Sequence, residues 1–294
     1  MRIEKLLVPV DFSPASRVAL EYAVAFARIF RAKLSLLHVI EPSATLALAF
    51  PDEAVRTEKE RCEQSERMLT AMIAAESQRD LDVKALVKSG DVDQQVLSAV
   101  HEEETDVLIL GTHGHSLVRY LIGSVTHKLL RDSDIPIVTV GQVTRPPAFN
   151  RILLATDLSE RSKDLLLHAI DLAHATNARL AAVRAIVVGV EGGAEAAEYL
   201  SESRFEKGRA KFDQWKVEAS RLNTQLETIQ VEGPAPDVIL NTAADTSADL
   251  IIISKGTLLG SVAEPVIRHA HIPVLTIPLL DKSNVEQTGQ PHAA

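Results

Sequence analysis

The chain has a single cysteine, Cys62, in 294 residues, so no disulfide can form within it. Val55, Cys62 and Leu69 recur at helical spacing, which predicts a packed thiol on one buried stripe and not a reactive one. No apolar run reaches the roughly 18 residues of a membrane span, and the N-terminus carries no signal-peptide pattern; together these predict a cytoplasmic protein. The formal net charge is −9 with no basic cluster, which argues against nucleic acid or an anionic membrane surface as partner. Also missing are a Gly-Lys-Ser/Thr phosphate loop, a Gly-x-Ser-x-Gly elbow and a thiol placed as a nucleophile, so catalysis is poorly supported.

What the chain does have is an apolar run, Val107 to Leu110, that passes into Gly111-Thr112-His113-Gly114 and, after eight more residues, Gly123-Ser124. That order predicts a buried strand, a glycine loop and a helix start. Such a junction gathers backbone N–H groups and the positive end of a helix dipole, and glycine lets an anion approach the backbone. A first strand, Ile3 to Val10, leads through Asp11 and Phe12 to Ser13, a natural N-cap, and Pro14, suited to a first helical turn. In an open parallel sheet ligands bind at the carboxyl ends of strands where strand order changes, so Asp11 and Gly111 belong at one edge.

The chain also repeats itself. Lys5 to Ser13 (KLLVPVDFS) returns as Arg151 to Ser159 (RILLATDLS), and the eighteen residues from Gly123 return from Gly260. A unit of that length is a domain, not a solenoid repeat. Short β-branched runs alternating with helix-length amphipathic segments predict α/β domains with parallel sheets: 1–144 and 148–280, joined through Arg145-Pro146-Pro147, with a disordered tail over 281–294. Strands are expected at 3–10, 33–40, 82–88, 106–111 and 136–141, then at 150–156, 179–187, 225–231, 249–254 and 273–277. Helices are expected at 14–30, 53–79, 92–103 and 124–131. A long second-half helix should bury Phe205, Phe212, Trp215, Ala219 and Leu222 as core.

These segments resemble the universal stress protein family, in the start LLVPVDFSPAS, the strand LSLLHVIEP, the turn at Gly90 and the stretch GSVTHKLLRDSDIPIVTV. Its ATP-binding members carry Gly-x-x-Gly, nine residues, then Gly-Ser/Thr; here eight residues separate Gly114 from Gly123. The resemblance implies two Rossmann-like, doubly wound, five-stranded domains packed as a pseudo-dimer through their final strands, near Ile135 to Val140 and Ile272 to Ile277, and further pairing into a homodimer. It implies an adenine nucleotide, ATP or AMP, with or without Mg²⁺, held by Pro9, Asp11, Val39, Gly111, Gly114, His115, Gly123, Ser124 and Val125. Asp11 would accept from ribose hydroxyls, the backbone beside Val39 would meet adenine, and residues 123–125 would face the phosphates. On the residues alone, Asp11 can equally cap its own turn and Ser124 its own helix.

The two halves differ where the chemistry would be. From strand end to Gly-Ser, twelve steps in the first half become six in the second, and His38-Val39 becomes Arg184-Ala185, so the second site is expected to be degenerate although Asp157 matches Asp11. His113, His115 and His127 lack a cysteine or carboxylate at metal-ligand spacing, and no metal site is expected. Phosphate charge would be offset by helix ends, a divalent ion, or side chains such as His115 and Arg119. The sequence therefore predicts a nucleotide-binding stress protein with one competent half; the alternatives are a nucleotide-free scaffold that works through an unknown protein partner, and a slow ATPase.

Overall fold

The computed structural model describes residues 2–77, 81–112, 122–141, 146–187, 194–255 and 260–278. Its first half runs β1 (Lys5–Pro9), α1 (Pro14–Phe30), β2 (Lys33–Ile40), α2 (Ala44–Ala49), α3 (Pro51–Ser77), β3 (Val83–Ser89), α4 (Val92–Glu102), β4 (Val107–Gly111), α5 (Ser124–Asp132) and β5 (Ile137–Val140). The second runs β6 (Arg151–Ala155), α6 (Ser162–Thr176), β7 (Arg179–Ile186), α7 (Ala194–Arg221), β8 (Leu226–Glu232), α8 (Ala235–Asp245), β9 (Leu250–Ser254), α9 (Ala263–His269) and β10 (Val274–Ile277). All ten strands fall close to their expected bounds. Helix α2 was not foreseen, because its six residues are too few to show a period. The stretch 281–294 expected to be a tail lies outside the described residues.

The local chemistry repeats along with the sequence. Ser13 caps α1 by accepting from the Ser16 amide, with Pro14 in the first turn as its fixed φ favours. Just before it, the Asp11 carboxylate accepts from the Ser13 amide at 2.9 Å, and the Asp157 carboxylate accepts from the Ser159 amide at 2.8 Å. These Asx turns hold Phe12 and Leu158 at φ 62° and 59°, a left-handed conformation that costs non-glycine residues energy. Asp106 and Asp249 each accept from the two amides that open β1 and β6.

The strands form one sheet in the order β3-β2-β1-β4-β5-β10-β9-β6-β7-β8. Each half is parallel, and β5 and β10 join the halves antiparallel, Val138 opposite Leu275. The expected pairing through final strands is thus met as a continuous ten-stranded sheet. At the junction the Thr139 hydroxyl donates to Val274 O and the Thr276 hydroxyl to Ile137 O, a reciprocal pair of buried bonds. Helices cover both faces. Helices α1, α3, α6 and α7 pack over one core, and α4, α5, α8 and α9 over the other, and both cores run unbroken across the junction. On the first face Phe149, just ahead of β6, inserts edge-on against Phe26 of α1 at 4.7 Å.

Two packing expectations need correction. The stripe through Val55, Cys62 and Leu69 is not uniformly buried: Leu69 is enclosed, Cys62 half-buried and Val55 70% exposed. A helix of 27 residues spans about 40 Å against about 25 Å for the strands beneath, so the first turns of α3 overhang the sheet. Burial, with Glu58 and Glu66 nearby, pushes the Cys62 thiol pKa up, in keeping with an unreactive group. In α7, Phe212, Trp215 and Ala219 are core and Phe205 is half-buried, but the helix stops at Arg221 and leaves Leu222 exposed. Among the described residues no helix is long and apolar enough to cross a membrane.

His168 of α6 is half-buried, and its Nδ1 has no hydrogen-bond partner among the described residues. Burial pushes its pKa below the ordinary 6.5, so as pH falls the unfolded chain takes up this proton first. The contribution is full above 6.5 and is lost as pH falls through that value toward the folded-state pKa. Melting temperature should therefore drop between about pH 7.5 and 5.5, and His168→Gln should make the drop shallower; an unchanged slope would show that other groups set it.

Candidate functional site

At the carboxyl ends of β1, β2 and β4, beside the start of α5, lies a cavity of about 340 Å³. Seven of the nine residues singled out in the sequence line it: Pro9, Asp11, Val39, Gly111, Gly123, Ser124 and Val125. Gly114 and His115, like His113 and Arg119, lie outside the described residues. Sequence reasoning missed Ser13, Ser16, His38, Glu41 and Thr126, which also line it. Ser13 was assigned to capping alone, His38 and Thr126 adjoin residues that were found, and Ser16 and Glu41 carried no signal in the sequence. His38 donates from Nδ1 to Val10 O at 2.6 Å, since a carbonyl can only accept, and its ring tilts over Phe12.

The start of α5 sets the chemistry. Gly123 is the N-cap and makes no side-chain cap bond; Ser124 is the first helical residue, which corrects its reading as the cap. The first intrahelical bond runs from the His127 amide to Gly123 O, so the amides of Ser124, Val125 and Thr126 have no acceptor within the helix. No acidic residue stands in that first turn. Two bonds fix the helix start against the strand: Gly123 N–H donates to Thr112 O at 3.0 Å and the Thr126 hydroxyl to Gly111 O at 3.2 Å.

The two described glycines have different reasons to be glycine. A side chain at Gly111 would begin 2.8 Å from Ala15 O and 2.9 Å from Ala15 C, so the backbone of α1 approaches too closely for any Cβ. At Gly123 the nearest atom would be Thr112 O at 3.7 Å, and the backbone (φ −57°, ψ 147°) suits any residue. The fold requires glycine at 111, whereas no described residue requires it at 123.

A second cavity, of about 260 Å³, occupies the matching place in the second half, lined by Asp157, Lys255, Gly260, Ser261 and Val262 among others. Two of its charged groups, Asp157 and Lys255, bond to the protein itself. Burial raises the Asp157 pKa, but the Ser162 hydroxyl at 2.6 Å and the Ser159 amide outweigh it and hold the carboxyl below the usual range. Helix α9 starts only at Ala263, three residues after Gly260, and carries Glu264 in its first turn, paired with Arg268 and 3.8 Å from His127 of α5. Pro265 removes one more N–H. Arg184 turns to the other face, donating to Arg204 O and Gln230 Oε1 over Gly208 of α7. Both halves thus keep one backbone plan, while a carboxylate already sits at the positive end of the second helix and none sits at the first.

Comparison with known proteins agrees with this plan. The universal stress protein family matches the chain twice, over residues 2–141 and 148–278. Two universal stress proteins of Methanocaldococcus jannaschii are 26% and 32% identical over 159 and 139 residues, spanning 47% and 44% of this chain and 94% and 82% of their own length. The crystal structure of a universal stress protein from Archaeoglobus fulgidus covers 95% of this chain and all of its own at 21% identity, with a TM-score of 0.73, a likeness of fold.

The contrast between the glycines can be measured by thermal unfolding. Gly111→Ala should cost about 1–3 kcal/mol, the scale of a forced shift in a packed interior. Gly123→Ser, which adds a side-chain cap, should stabilise by only about a few tenths of a kcal/mol; equal losses at both positions would contradict the steric account.

Proposed function

This chain belongs to the universal stress protein family, and we propose that it binds one adenine nucleotide, ATP or AMP, in the cavity of its N-terminal half. The observation that carries the proposal is Gly123: a helix start with no side-chain cap, no acid in its first turn and a glycine that no described residue requires, opening on a cavity lined also by Asp11. A ligand phosphate accounts for all of these. The amides of residues 124–126 with the helix dipole would bind its oxygens, Asp11 would accept from the ribose hydroxyls, and the adenine would lie along Leu37 and Val39. Gly114 and His115 are proposed as further contacts through the family pattern. The C-terminal cavity is proposed as degenerate, because Glu264 would repel the phosphates that the first half attracts.

Function is proposed to reside in binding, not turnover. Phosphoryl transfer needs a cation placed over the γ-phosphate and a group that orients the nucleophile. The groups lining the cavity stabilise ground and transition states alike, which tightens binding without raising a chemical rate.

Calorimetric titration of the whole chain should give about one nucleotide per chain; two equal sites, or none, would refute the assignment. Because Asp11 also holds its turn, Asp11→Asn is the cleaner variant: it keeps an acceptor for the Ser13 amide and should still weaken binding by about 1.5–3 kcal/mol, whereas Asp157→Asn should leave affinity unchanged. Gly123→Ser should weaken binding while the fold gains stability. Followed over hours with Mg²⁺, hydrolysis should stay near background; brisk turnover abolished by Ser124→Ala would mark an enzyme instead.

A further inference from the structure

Lys255 is the first residue after β9 and lines the second-half cavity, yet its ammonium reaches the other half, donating to Ser133 O at 2.5 Å. The residue is only 8% exposed. Ser133 is the C-cap of α5; burial holds the Lys255 pKa below its ordinary value, opposed in part by the nearby Asp132 and Asp134 carboxylates. The carbonyls that end a helix lack intrahelical donors and sit at the negative end of its dipole, so this is a place where a buried ammonium finds compensation. Thr112 holds the matching position in the first half: its amide donates to Val140 O just as that of Lys255 donates to Ile277 O. Only one of the two matching positions carries a charge.

Helix α5 is held in its middle by Lys128, which donates to Asp93 of α4 at 2.9 Å, and it is also held at both ends. The Thr126 hydroxyl fixes its first turn to Gly111 O within the first half, and Lys255 fixes the carbonyl of its C-cap residue, Ser133, from the second. Nine helical residues span about 13 Å and move nearly as a rod, so the grip at one end bears on the amides at the other. We propose that Lys255 is a positioning residue for the N-terminal site, supplied by the C-terminal half: it holds α5, and through α5 the amide cluster that opens on the first cavity. The effect on ligand affinity rests on the nucleotide reading above; the grip on α5 does not.

The test compares the full chain with Lys255→Met, which keeps the aliphatic stem without charge or donor, and Lys255→Arg, which keeps both. Amide hydrogen exchange is followed in the ligand-free protein, with α6 as internal reference, and ATP and AMP are then titrated. In Lys255→Met, exchange in α5 should quicken by roughly tenfold, the scale of one charged hydrogen bond, with α6 unchanged and nucleotide affinity lowered several-fold; Lys255→Arg should restore both. Unchanged α5 exchange in Lys255→Met, equal behaviour of the two variants, or equal acceleration in α6 would each overturn the proposal. A wild-type chain that binds no nucleotide would sink the nucleotide reading, while the exchange comparison would still decide whether Lys255 holds α5.

Discussion

The pairing of β5 with β10 is the constraint on which the molecule depends. Each half alone would present β5 or β10 as an open, apolar sheet edge, its residues buried in the assembled sheet. Joined antiparallel, these strands satisfy each other's backbone groups, and the hydroxyls of Thr139 and Thr276 add a bond in each direction. The register is not free to slip. Successive residues of these strands serve opposite cores, Val138 and Val140 one and Ile137 the other, so a shift by one residue would exchange the two sets.

That junction also decides what lies next to what. It sets α5 beside α9, bringing Lys255 to the end of α5 and Glu264 near His127, and on the opposite face it carries Phe149 into the aromatic group of α1. The two candidate cavities consequently sit on one rigid sheet with a helix of the first half held from the second. Their difference arises from a few side chains on a shared backbone plan. The turn after β1 is repeated after β6 down to its left-handed residue, whereas the helix starts diverge: an uncapped glycine in one, a delayed start with its own carboxylate and a proline in the other.

Much of this was legible in the residues. Alternating β-branched runs and amphipathic stretches carry the periods of a parallel sheet with covering helices, and the repeat of Lys5 to Ser13 at Arg151 to Ser159 announces two of them. Asp11, Gly111 and Gly123 could be placed at one edge because strand ends in such a sheet converge. The exposure of Val55 and Leu222 could not, since it depends on how far a helix outruns the strands beneath it, and that length is set by neighbouring elements.

By itself, then, the sequence determined the fold class, the duplication and the edge of the sheet where the candidate residues gather, because periodicity, capping and turn chemistry are local. Only the tertiary structure decided why each residue is there. Gly111 answers to the backbone of α1, which approaches from the start of another element; at Gly123 no described atom stands closer than 3.7 Å to a side chain's start; and Lys255, which looks like any lysine after a strand, finds its acceptor 122 residues away. Such reasons are distances between segments remote in the chain, and they exist only once β5 and β10 have brought the halves together.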